Sequence, residues 1–164
     1  MKKCFIWAAC LVVLYVLQSS LLPIIAYNGV SPDILLIVVI SFSLLRGSRF
    51  GFLMGFSAGL LEDLASGTFF GMNTFCKMIL GYVFGLVEHK VFKENFFLPI
   101  MSMVLATSLN YFISAFLMVL LGYRFNLMHH MEHILFPLLL YNVIFAFPVH
   151  KLVYKICEWV KEKR

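Results

Sequence analysis

The chain has 164 residues, of which 62% are hydrophobic and only 13% are Asp, Glu, Lys or Arg, against roughly 25% charged residues in an ordinary soluble domain. With a mean hydropathy of +0.95, this composition excludes a soluble fold and predicts an all-α integral membrane protein, one multi-pass domain over 1–164 with about six transmembrane helices of roughly 20 apolar residues and short loops. The formal charge of +5 is no sign of nucleic acid, because the basic residues form short clusters between apolar runs, where they set orientation in a bilayer.

The predicted spans are 4–22, 33–46, 49–65, 72–88, 96–121 and 134–156. The first follows Met1-Lys2-Lys3 and reads as a span: its apolar run is longer than a signal-peptide core and ends in Leu21-Leu22-Pro23, without a small-x-small cleavage pattern. The second opens at Ser31-Pro32-Asp33 and reaches Arg46, which gives about 21 Å of helix. That length suits either a re-entrant element or a span stretched by snorkelling of Arg46 and Arg49. The third span ends near Glu62 and Asp63, where Gly67 is a helix stop and Asn73 a candidate N-cap for the fourth. The fifth carries Asn110 and the sixth Asn142, both placed for interhelical hydrogen bonds. Pro137 and Pro148 are expected to shape the sixth by kinking it.

Charge orients these spans. Lys2, Lys3, Arg46, Arg49, Lys90, Lys93, Lys155, Lys161, Lys163 and Arg164 all fall on one side, and only Arg124 falls on the other. The positive-inside bias therefore predicts cytoplasmic N- and C-termini. Trp7, Trp159, Tyr27, Tyr123 and Tyr154 lie near span ends as candidate interfacial anchors. Cys4, Cys10, Cys76 and Cys157 are scattered and make no C-x-x-C pair, so neither a metal site nor a disulfide framework is expected.

Glycine spacing is the strongest pattern. Gly47, Gly51, Gly55 and Gly59 recur every fourth residue and the row continues to Asp63, while Lys77, Gly81 and Gly85 repeat the interval on the next span. Missing side chains at this spacing let helices approach closely, which predicts a tight antiparallel hairpin. A lysine at membrane depth needs a partner, and Lys77 is expected to pair with Asp63 or Glu62 at similar depth. Glu62 itself points to a neighbouring face, toward Lys77, solvent or a partner. The charges serve either packing and orientation or a partner-binding or transport role.

Catalysis finds little support. Adjacent helical residues such as Glu62 and Asp63 point about 100° apart, which does not suit an acid–base pair. His129-His130-Met131-Glu132-His133 has the H-x-x-E-H form of inverted zinc peptidases, but the downstream carboxylates Glu158 and Glu162 are expected on the opposite membrane side. The segment reads as an interfacial loop. No Walker A loop, nucleotide fingerprint or G-x-S-x-G elbow occurs, so no enzyme, cofactor or metal is predicted.

The string Ser31-Pro32-Asp33, Arg46-Gly47-Ser48-Arg49, Gly51-x-x-x-Gly55-x-x-x-Gly59-Leu60-x-x-Asp63-x-x-Ser66-Gly67-x-x-x-Gly71-x-Asn73 and Gly81-Tyr82-x-x-Gly85 resembles the rod shape-determining protein MreD family over about 31–92. The resemblance implies a non-enzymatic component of the bacterial cell-elongation machinery in the cytoplasmic membrane. It further implies binding to an MreC-like protein and work beside a RodA-type glycosyltransferase, a class B penicillin-binding protein and MreB filaments, in peptidoglycan synthesis and cell-shape maintenance. It also implies a compact bundle similar to the S components of energy-coupling-factor transporters, which supplies the alternative function of a vitamin- or solute-binding subunit. The matching positions Asp33, Asp63, Ser66, Gly67, Gly71 and Asn73 are then expected to form an outer-side structural or partner-facing site. Glu62 and Lys77 stand outside that pattern.

Overall fold

A computed structural model describes residues 2–67, 69–87, 97–123 and 131–162. They form six long helices: α1 (Lys2–Ser20), α2 (Ile34–Arg46), α3 (Ser48–Ser66), α4 (Met72–Gly85), α5 (Phe97–Leu120) and α6 (Phe136–Glu162), the last entered through a π turn at Met131–Leu135. A 3-10 turn at Leu22–Ile25 and a bridge between Tyr27 and Val30 fill the α1–α2 connection. The His129 and His130 of the H-x-x-E-H segment lie outside the described residues, as do Lys90, Lys93, Arg124, Lys163 and Arg164.

α2 occupies the centre. Its 13 residues make about 20 Å of helix, and Leu35 through Val39 are wholly buried. It packs against each of the other five helices, which explains why this short segment is apolar on every face. Val38, Val39 and Ile40 are β-branched and weak helix formers, but in a surrounding without water only a helix satisfies the backbone within one segment. Asp33 starts it, accepting from the Leu36 N–H at 2.9 Å.

The turn from α2 to α3 is a single residue, Gly47, with φ 86° and ψ 176°. That region is essentially restricted to glycine, so the corner needs this residue whatever it packs against. The remaining helices turn large apolar side chains outward, among them Val13, Phe50, Leu53, Phe116 and Ile144. A surface of this kind suits hydrocarbon better than water. Among the described residues, two helical segments, Pro99–Leu120 and Glu132–Val160, are long and apolar enough to cross a membrane by length and composition. Pro137 sits in the first turn of α6 and Pro148 within it. Trp7 is half-buried and packs edge-on against Phe42, with centroids 4.6 Å apart, whereas Trp159 and Tyr27 are exposed.

Candidate functional site

α3 and α4 are the most closely packed pair, and glycine is the reason. A Cβ added to Gly51 would overlap the backbone of Gly81, one on Gly55 the carbonyl of Lys77, and one on Gly59 would lie 2.6 Å from the Asn73 oxygen. At the other end, a Cβ on Gly85 would lie 2.6 Å from the carbonyl carbon of Gly47. Each four-residue step along α3 thus meets a four-residue step back along α4, backbone to backbone.

At the next step the pattern changes, because α4 begins there. Asp63, 1% exposed, stands opposite the free N–H groups of the α4 N-terminus. Its carboxylate accepts from the N–H of Gly71 (3.0 Å), Asn73 (3.1 Å) and Thr74 (2.9 Å), from the Asn73 Nδ2 (3.1 Å) and from the Thr74 hydroxyl (2.6 Å). Asp63 therefore supplies from α3 the cap that α4 lacks. The N-cap residue is Gly71, with φ 95° and no side chain, whereas the sequence suggests Asn73. Asn73 falls inside the first turn and donates to the cap. A negative charge here also complements the helix dipole. Gly67 ends α3 in the left-handed region at φ 64°, its N–H bonded to the Asp63 carbonyl.

Occupied in this way, Asp63 does not reach Lys77. The fully buried Lys77 Nζ lies instead between Glu62, which it contacts directly, and Asp33, at 3.0 Å from Oδ1 and 2.9 Å from Oδ2. Of the two expected partners, Asp63 or Glu62, Lys77 meets Glu62, and Asp33 joins it because α2 is central and its capping carboxylate ends level with Lys77. From this triad hydrogen bonds extend both ways. On one side Gln18 donates to Glu62 at 3.4 Å and accepts from the Leu35 N–H at 3.0 Å. On the other, the Asp33 N–H donates to Asn142 Oδ1 at 2.9 Å, and Asn142 Nδ2 donates to the Thr107 hydroxyl at 3.0 Å. Gln18, Glu62, Lys77, Thr107 and Asn142 come from α1, α3, α4, α5 and α6, and Asp33 caps α2, so one connected network joins all six helices. Two carboxylates share one ammonium, and their side chains keep 15% and 17% exposure for Asp33 and Glu62.

The model of the family described as rod shape-determining protein MreD matches residues 1–160. The chain belongs to the MreD family. It is accordingly a bacterial membrane protein with a role in determining rod shape, in a family that is structural in character. No curated protein and no solved structure matches it significantly.

In this MreD-family chain the residues singled out from sequence divide by what they touch. Asp63, Gly71 and Asn73 are joined in the cap, Asp33 is joined to Lys77 and Glu62, and Gly67 and exposed Ser66 form the turn beside them. Asn142 is completely buried within the network, while the buried Oδ1 of Asn110 has no hydrogen-bond partner among the described residues. Glu132 and His133 are exposed on the π turn. No group of three or more His, Cys, Asp or Glu side chains is placed to hold a metal ion among the described residues. Sequence reasoning misses Gln18, Thr74 and Thr107. Gln18 carries a usable signal, as a long polar side chain at the end of an otherwise apolar run.

Proposed function

We propose that this MreD-family chain is a non-enzymatic, six-span scaffold of the cell-elongation complex, with both termini cytoplasmic. Its Asp33–Glu62–Asn73 end faces outward and engages an MreC-like partner. Through that partner it supports peptidoglycan synthesis by a RodA-type glycosyltransferase and a class B penicillin-binding protein, beside the MreB machinery. The observation that carries this reading is the network joining all six helices, with Gln18, Asp33 and Glu62 at helix ends. A bundle locked in this way presents a fixed surface, and the turn at Ser66, Gly67 and Gly71 is held by Asp63 as part of it.

The alternative, a solute-binding subunit similar to transporter S components, asks polar groups at this end to be free for a ligand. Asp63 has its oxygens engaged by five donor groups, and Lys77 is enclosed by two carboxylates. Both fit a structural assignment. Co-purification of the tagged chain after mild detergent extraction tests the proposal. Recovery of an MreC-like protein is expected; recovery of a vitamin-loaded chain with an ATPase module, and no MreC-like protein, overturns it.

A further inference from the structure

The opposite end of the bundle holds a different feature. Between α1, α2 and α3 lies an apolar crevice of about 330 Å³, walled by Trp7, Leu11, Phe42, Phe50 and Leu53 and reached by Arg46. The Nε of Arg46 is buried and has no hydrogen-bond partner among the described residues. An unmatched buried donor on a charged group is costly, and a guanidinium is well suited to phosphate oxygens. The walls ask for something else, an apolar chain lying along α1 and α3. A free phosphate ion satisfies only the arginine and leaves the apolar walls unmatched. A partner helix, about 10 Å across, is too bulky for a crevice of about 330 Å³. A phospholipid answers both demands, with its phosphate on Arg46 and an acyl chain against the aromatic wall.

We infer that this crevice binds one anionic phospholipid through Arg46. A basic group between helices on the cytoplasmic side is a recognised arrangement for such headgroups. Assignment of the lipid to the inner leaflet rests on the orientation proposed above.

The test is native mass spectrometry of the purified full-length chain titrated with phosphatidylglycerol, and with phosphatidylcholine of the same acyl chains. One phosphatidylglycerol per chain is expected, held about tenfold tighter than phosphatidylcholine, whose choline ammonium offsets the phosphate charge beside Arg46. Arg46→Gln should remove most of that preference. Leu53→Trp, which enlarges a side chain already 58% exposed and fills the crevice from its rim, should weaken both lipids. Each variant is first checked for wild-type helicity and a single elution peak. Equal binding of the two lipids by the wild type, or unchanged phosphatidylglycerol binding in both variants, overturns the inference. So does full displacement of the lipid by millimolar inorganic phosphate, which would mark a simple ion site. Sidedness is read separately by thiol labelling of Ser66→Cys, so a failure of orientation and a failure of lipid binding remain distinct.

Discussion

Replacing Lys77 by methionine keeps most of the side-chain volume and removes the charge that Asp33 and Glu62 share. At the 2.9 Å separation from Asp33, an effective dielectric of about 20 gives an attraction near 6 kcal/mol. Desolvation offsets part of this, and removal of one partner from a buried pair typically costs about 3–5 kcal/mol because the other charge is left behind. Two carboxylates are left behind here, and among the described residues each retains a neutral donor, Gln18 for Glu62 and the Leu36 N–H for Asp33. Lys77→Met is therefore expected to lower the thermal midpoint in detergent on the order of 10 °C, measured by loss of the monodisperse chromatographic peak on heating. Adding Glu62→Gln removes one orphaned charge and should recover part of the loss, a positive coupling in a double-mutant cycle. A Lys77→Met protein as stable as wild type, or a double variant showing simple additivity, refutes the reasoning.

Other perturbations probe the neighbouring contacts. Gly55→Ala places a Cβ against the Lys77 carbonyl and should destabilise by about 1–3 kcal/mol, while Gly55→Leu should abolish partner assembly in a pull-down. Gly67→Ala meets open space but a positive φ, so its cost should stay near 1 kcal/mol in the same melting assay. Asp63→Ala strips the cap from α4 and should cost about 2 kcal/mol, with Asp63→Asn milder because one acceptor remains. Asn142→Leu leaves the Asp33 N–H without its acceptor and should cost about 1 kcal/mol; an unchanged melt would contradict that part of the network. In a background lacking Cys4, Cys10, Cys76 and Cys157, Ser66→Cys should react with an impermeant thiol reagent in intact cells, and labelling only after lysis would reverse the proposed orientation.

Much of this architecture is legible in the apolar runs and the glycine spacing. The expected spans 33–46, 49–65 and 72–88 fall close to α2, α3 and α4, because a hydrophobic run bounded by Asp33, Gly47, Gly67 or Gly71 carries its own start and stop signals. The antiparallel register of α3 on α4 is also implicit, since two four-residue rows of small residues can meet backbone to backbone in few ways. What sequence does not show is how nonlocal partners are distributed. Asp63 and Lys77 fall at matching depth, but depth alone does not reveal that the nearer carboxylate is taken by the N–H groups of α4. Nor does it place Asp33 beside Lys77, which depends on α2 lying at the centre of the bundle. The N-cap of α4 shows the same limit. Local preference selects Asn73, whereas a carboxylate delivered from α3 frees Gly71 to adopt a positive φ. Thr107 is one hydroxyl among several in apolar helices and carries no distinguishing local signal.

The most direct test of the scaffold account is site-specific photo-crosslinking in growing cells. A photoreactive residue at Phe70, 71% exposed beside the Asp63 cap, should yield an adduct with an MreC-like protein, and one at Leu105, 54% exposed on the outer face of α5, should not. Adducts at Leu105 alone, or none to any elongation protein at Phe70, would contradict the claim that the Asp33–Glu62–Asn73 end of the bundle is the surface it offers its partner.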